Sequence, residues 1–347
     1  MSTPEFNLDS FLDDSPVAGS DSTGADDLVA GESFSGPLFE TGYEGKIDYR
    51  VRQLSYSSLT TLHSCPRKYQ LYKLRTTYRT AEREKDTITF SYGHVVGEAI
   101  QLALAGRAKE EIIWQMFLSW HAHLFAEDEK AKKSFWTAMI ALERFLVVRD
   151  TVLADYELVY HNGKPACELS FCINFPDGFR YRGHVDAVLK HRITGRILVL
   201  ECKTTGSKSV NPAQFKNSAQ AIGYSIVLDN LFTELSSYEV LYLVYQTQNQ
   251  EYLPLPFEKT YLQRALWIRE LLLDIETIKM YEGAGVYPMH GESCYSFMRE
   301  CEYLGSCTMA TDYLARQGTE NDFDKVEYQV NLSLADLLDV QLEKIGA

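Results

Sequence analysis

The chain lacks an apolar run of 18 residues and shows no secretory leader pattern at its start, so the sequence predicts a soluble, cytoplasmic protein with no membrane partner. Basic residues are in deficit. There are 34 Lys and Arg against 48 Asp and Glu, a net charge of −14, which on its face argues against a nucleic-acid partner. The distribution changes that reading: residues 1–45 hold ten acidic and no basic side chains. The remainder is close to neutral and can carry local basic surfaces. Cysteine is sparse and odd in number, seven in 347 residues, which argues against a disulfide scaffold.

What is present divides the chain into parts. Residues 1–48 are acidic and rich in Ser, Gly and Asp, and cannot bury enough apolar surface to fold alone. Within them FNLDSFLDD (Phe6–Asp14) alternates acidic and bulky apolar residues, the pattern of a segment that binds a protein partner or of a plain solubilising tail. Folded structure is expected from about residue 49 to 310. Ser55 or Ser57 caps a first helix carrying Leu59, Leu62, Tyr69 and Leu74, with Pro66 either kinking it or starting a second. Helical patterns follow at about 93–106, 108–126 and 130–152. A strand at Ala166–Phe175 precedes a hairpin, Pro212 opens a helix reaching about Asp229, and strands near 238–247 and 251–256 lead to a long helix at about 259–283. This order predicts a mixed α/β sheet flanked by helices, the core spanning about 166–283. Residues 311–347 form an extension whose amphipathic end (Leu334, Leu337, Leu338, Leu342, Ile345) packs on the domain or docks a partner helix.

The chemistry concentrates in Tyr181–Thr205. Tyr181, Gly183, Val185, Ala187 and Leu189 alternate along one strand, and Ile197–Leu200 forms a β-branched apolar return. With Arg192–Gly195 as the loop, His191 pairs with Arg196, and counting back places Asp186 opposite Glu201. Lys203 shares that face while Cys202 points away. Two carboxylates so close repel unless a cation joins them. Mg²⁺ or Mn²⁺ suits hard oxygen donors from Asp186, Glu201 and the Cys202 carbonyl, and Glu98 on an early helix is a further candidate ligand. Lys203 then orients the attacking water or stabilises the phosphate. The bland alternative is a solvated hairpin edge with an ordinary Glu–Lys pair.

Two other stretches stand out. Arg67, Lys68, Lys73 and Arg75 lie among Tyr69, Tyr72 and Tyr78, a mixture of charge and rings suited to single-stranded nucleic acid or to a plain solvated helix face. Cys294, Cys301 and Cys307 fall within fourteen residues, and with Cys65 they make a possible S₄ set for an iron–sulfur cluster or zinc, or else unmetallated core thiols.

Taken together these motifs resemble the RecB-like branch of the PD-(D/E)XK nucleases, in particular iron–sulfur exonucleases of CRISPR systems and phages. SYSSLTTLHSCPRKYQLYKL is similar to the opening S-x-S-x-L…C-P-x-x-Y, GHVDAVL…LVLECKTT to G-x-[IV]-D…[DE]-x-K, and QAIGY to Q-x3-Y. Glu168 stands where the family often has a glutamate. The resemblance implies a restriction-endonuclease-like core with a helical insertion and an iron–sulfur-clipped C-terminal region. It also implies metal-dependent DNA exonuclease activity in phage or bacterial replication, recombination or repair, in the host cytoplasm if phage-encoded. Asp186 and Glu201 would be metal ligands, Lys203 catalytic, Gln220 and Tyr224 DNA contacts or supports, and Cys65, Cys294, Cys301 and Cys307 ligands of a [4Fe–4S] cluster. The chain departs from the pattern at Gly97, where a histidine often stands, and in its six-and-five cysteine spacing. A non-catalytic or partner-activated DNA-binding scaffold is the rival expectation.

Overall fold

Local sequence rules account for where the helices begin. The computed structural model describes residues 50–74, 88–120, 132–231, 238–296, 299–308 and 330–333; the acidic tail, Arg75 and the amphipathic C-terminal segment lie outside them. A short strand, β1 (Gln53–Ser55), runs into α1 (Tyr56–Ser64), whose N-terminus Ser55 caps reciprocally with Ser58. Pro66 does not kink one helix but starts a second: α2 (Pro66–Lys73) has Cys65 as its N-cap, and proline at the first position costs no hydrogen bond. Three helices follow, α3 (Ile88–Leu104), α4 (Lys109–Trp120) and α5 (Phe135–Thr151). Strands β2 (Tyr156–Leu158), β3 (Tyr160–His161), β4 (Lys164–Pro165), β5 (Cys167–Asn174), β6 (Arg180–His191) and β7 (Ile197–Thr205) come next.

Beyond β7 the expected single helix from Pro212 is broken in two, α6 (Ala213–Lys216) and α7 (Ala219–Leu231). Between them the buried Lys259 amine donates to the Phe215 and Lys216 carbonyls that end the first piece. The chain continues through β8 (Tyr238–Gln246), β9 (Glu251–Lys259) and α8 (Tyr261–Ala284), a helix capped by Thr260 and closed by Gly285 in the left-handed conformation (φ 67°). A two-residue pairing of β10 (Tyr295–Ser296) with β11 (Arg299–Glu300) and a last strand, β12 (Val330–Ser333), complete the described residues.

The main sheet has eight strands in the order β12-β5-β6-β7-β8-β9, with β1 and β2 also pairing to β6. β12 joins parallel beside β5, an edge strand that the polar sequence around it did not announce. β9 forms the other edge and carries Pro254 and Pro256, tolerable only where no inward N–H is required. One apolar core fills the side covered by α1, α2, α7 and α8; a second fills the side under α3, α4 and α5. The fold is therefore the mixed sheet flanked by helices that the element order implies.

Strand β6 positions everything that follows. Its first residues, Arg180–Arg182, pair with β1 on one side, and from Ala187 to Lys190 that side belongs to β7. Residues Gly183–Asp186 fall between the two partners. The alternation expected through Tyr181, Gly183, Val185, Ala187 and Leu189 also breaks there: Tyr181 and Val185 face the α7/α8 core, whereas Ala187 and Leu189 face the helical side. Opposite the break, Glu168 in β5 adopts φ 50°, an uncommon conformation for a residue with a side chain. Gly183 is required by packing, since a Cβ there would lie 2.4 Å from the Phe171 ring.

Candidate active site and thiol pocket

The hairpin register is the one the loop dictates. Gly195 N–H donates to the His191 carbonyl and His191 N–H to that of Arg196, and Ala187 pairs with Leu200. One step further, the ladder stops and a side chain replaces it: Asp186 Oδ2 accepts the Cys202 N–H at 2.8 Å. Because the backbone of β6 has already changed face, this bond orients the carboxylate against the end of β7. Glu201 is fully buried, and its Oε1 stands 2.6 Å from Lys203 Nζ. Its other oxygen, Oε2, has no partner among the described residues. Lys203 Nζ donates to Gln220 Oε1 at 3.2 Å, and Gln220 Nε2 donates to the Tyr224 hydroxyl at 2.6 Å. The i, i+4 spacing of Gln220 and Tyr224 on α7 thus links the helix to the acidic strand end.

The electrostatics are those of an unfinished site. Burial raises the Asp186 carboxyl above its usual range, opposed by the Cys202 N–H and by Lys203. Burial raises Glu201 further, and the neighbouring Asp186 adds to it. Glu168 raises both in the same direction. For Lys203 burial works against the charge, but Glu201 and Asp186 outweigh it and hold the ammonium form. Lys203 is one cation beside two buried carboxylates, and Glu201 Oε2 has no partner among the described residues, so the site has room for a further positive charge.

These groups line a cleft of about 1260 Å³ between the sheet end, α3 and the α1/α2 region. Gly97 faces it with nothing within 4 Å of a Cβ position, so the place of the histidine is open rather than filled. Glu98 also lines the cleft, but its two oxygens accept from Gln115 at 3.0 Å and Ser119 at 2.5 Å. The carboxylate is held by α4, a tertiary contact that helical spacing does not reveal, and the structure does not free it as a ligand. Two cleft groups escaped the sequence reading. His184, two residues before Asp186, meets Ser170 Oγ through Nδ1 at 2.8 Å, and Gln101 donates to Glu168 at 2.7 Å. The cross-strand register of β5 and β6 carried the signal for the first.

Part of the basic stretch needs correction. Tyr69 is wholly buried with its hydroxyl donating to the Val51 carbonyl, so it cannot stack on a base. Arg67 spends its guanidinium on the Cys307 carbonyl and Gln70, and Lys68 lines the same small cavity as the cysteines. Lys73 is buried too, its amine donating to the Gln53 carbonyl, and burial lowers it to about 7. The inward residues of α2, Tyr69, Leu71 and Lys73, are buried because the helix lies between the sheet and the C-terminal loop, while Tyr72 stays exposed.

Cys65, Cys294, Cys301 and Cys307 line one cavity of about 20 Å³. Hydrogen bonds tie its walls: Cys301 N–H to the Cys294 carbonyl, Arg67 N–H to the Pro288 carbonyl, and His290 and Ser293 to the Ser64 carbonyl. Among the described residues no three His, Cys, Asp or Glu side chains converge closely enough to hold a single metal ion.

Residues 53–308 match the family model of the PD-(D/E)XK nuclease superfamily, and the chain belongs to that superfamily. No curated protein matches it. Among solved structures, a candidate exonuclease from Eubacterium rectale is similar at 13% identity and TM-score 0.44, covering 75% of this chain and 92% of its own. SSO0001 is similar at 14% identity and TM-score 0.28, covering 62% of this chain and 85% of its own.

Proposed function

We propose that the chain is a Mg²⁺- or Mn²⁺-dependent deoxyribonuclease of the RecB-like type, an exonuclease acting on single-stranded DNA or duplex ends in phage or bacterial replication, recombination or repair. The observation that carries this reading is the meeting of Asp186, Glu201 and Lys203 on one wall of an open cleft, with Glu201 buried and paired with Lys203 through one oxygen. Asp186, Glu201 and the Cys202 carbonyl would hold the divalent ion, whose chemistry is Lewis acidity toward water and phosphate. The protein supplies the rest. The Cys202 N–H fixes the Asp186 carboxylate, Gln220 and Tyr224 fix the Lys203 amine, and the amine places a positive charge beside the scissile phosphate. Burial of Tyr224 and Glu201 keeps that wall dry, which strengthens each electrostatic contact.

The thiol pocket is read as the seat of a [4Fe–4S] cluster. A four-iron cluster spreads its thiolates further apart than a single tetrahedral zinc does. What supports this reading is that all four thiols line one cavity. It would close the long loop between α2 and the chain's C-terminal part. Gly97 favours a second reading, a non-catalytic DNA-binding scaffold that acts through its acidic tail.

Incubating the full chain, prepared without oxygen, with labelled linear and circular DNA in Mn²⁺ or in EDTA decides between them. The nuclease reading expects Mn²⁺-dependent loss of linear DNA, abolished in Asp186→Ala and Lys203→Ala. Digestion retained in both variants, or none by the cluster-loaded protein, overturns it.

A further inference from the structure

We propose that the outward face of α8 is a self-association surface, and that its partner is the same face of a second copy of this chain. The inward face of the helix is accounted for: Trp267, Ile268, Leu271, Ile275 and Ile278 are buried against α7 and the sheet. The outward face should then be polar. It is not. Leu262, Leu266, Leu273 and Met280 are 69%, 54%, 68% and 60% exposed.

Their spacing is regular. With the exposed Arg269 and Glu276 between them, the six residues step along α8 at intervals of four, three, four, three and four, a single seam along nearly its full length. Such a seam fits another helix lying against it, not a pocketed ligand or a flat sheet. A lone exposed leucine is ordinary, but four apolar side chains in one row of a 24-residue helix, interrupted only by Arg269 and Glu276, mark an interface. Apolar on two opposite sides, α8 is built as an internal helix, and the described residues supply a cover for only one side.

The charges identify the cover. Arg269 and Glu276 flank Leu273 on either side along the seam. If two copies meet antiparallel about a two-fold axis through Leu273, each Leu266 falls opposite Met280 of the partner subunit. Each Arg269 then comes beside Glu276 of the partner subunit, twice by symmetry. A parallel arrangement would set Arg269 on Arg269 and Glu276 on Glu276, which like charge opposes. The seam is therefore complementary to itself in one orientation only. Arg269 has no ion-pair partner among the described residues. Glu276 holds Lys279 at 3.0 Å within its own helix and keeps a side chain 68% exposed.

Light scattering behind size exclusion, run on the full chain over a dilution series, tests this. The wild type should elute as a dimer that dissociates on dilution. Leu273→Glu, which places two carboxylates on the two-fold axis, should leave only monomer, while its circular dichroism and melting temperature stay those of a folded domain. Arg269→Glu should weaken the dimer roughly tenfold, the scale of two symmetric exposed pairs turned repulsive. Adding Glu276→Arg to it should restore the affinity. A wild type that stays monomeric at high concentration overturns the proposal. So does a dimer indifferent to Leu273→Glu, and so does a charge swap without rescue. A monomer that Leu273→Glu destabilises would mean that a segment of the same chain covers the seam, which also overturns it.

Discussion

The acidic cleft and the thiol pocket bring together reactive groups by opposite means. In the cleft, Asp186, Glu201 and Lys203 are placed by the register of a central sheet, and the cost of assembling them is left in the side chains as buried, poorly paired carboxylates. In the pocket, the cysteines come from a helix cap and irregular turns, held by a few carbonyl contacts to Ser64, Pro288 and Cys307. The cleft is preorganised and strained; the pocket is relaxed and loosely framed. The first arrangement suits chemistry, since a rigid site need not reorganise as charge moves. The second suits a brace, whose ligand does the organising.

That contrast can be broken by substitution. The largest effect belongs to the cleft: Lys203→Ala or Asp186→Ala should lower Mn²⁺-dependent DNA degradation by about a thousandfold or more, with the melting temperature nearly unchanged. A parallel loss of stability would mean that these residues build the sheet end rather than act there. Cys294→Ser should do the reverse, costing several kcal/mol of stability in the metal-loaded protein and the absorbance of a thiolate–iron centre. Activity should fall only as folded protein is lost. Colourless wild-type protein prepared without oxygen would refute the cluster.

Smaller effects sharpen the same division. Glu201 has its carboxyl raised in the folded state, so its contribution to stability is greatest below its unfolded value near 4.5 and is lost as pH rises through the folded value. Glu201→Gln in EDTA should therefore raise the melting temperature at pH 8 by a few degrees, on the order of 1–2 kcal/mol, and the gain should vanish toward pH 4. No gain would mean that the carboxylate is better satisfied than its geometry indicates. Smallest of all is the half-buried tie between α1 and α8: Asp274 accepts from His63 Nε2 at 2.8 Å and raises its pKa. That tie is complete below about pH 6.5 and is lost as pH rises through the raised value, so His63→Gln should remove a few tenths of a kcal/mol at pH 5.5 and nothing at pH 9. Equal melting shifts at both pH values would refute it.

The legible part of this molecule is the part set by local rules. His191, Gly195 and Arg196 declare the loop, the apolar run Ile197–Leu200 declares the buried strand, and from these the pairing of Asp186 with the Glu201 region follows by counting. Ser55, Pro66 and Thr260 mark helix starts through their own chemistry. What escaped reading was decided at a distance. Tyr69 and Lys73 look like surface because their neighbours are charged, yet α2 is covered by a loop more than two hundred residues away. Glu98 looks free because its captors, Gln115 and Ser119, sit on another helix. The change of face in β6 has no sequence mark except the close approach at Gly183, which needs a partner ring to be noticed.

The two prolines of β9 have a consequence for how copies of this protein can meet. Residues of one parity in an edge strand turn both backbone groups outward, and Pro254 and Pro256 share that parity. A foreign strand arriving at this border would find two successive donors missing and could not zip onto it. The sheet is thus sealed on its β9 flank against templated growth, and contact between molecules is diverted from backbone to side chains.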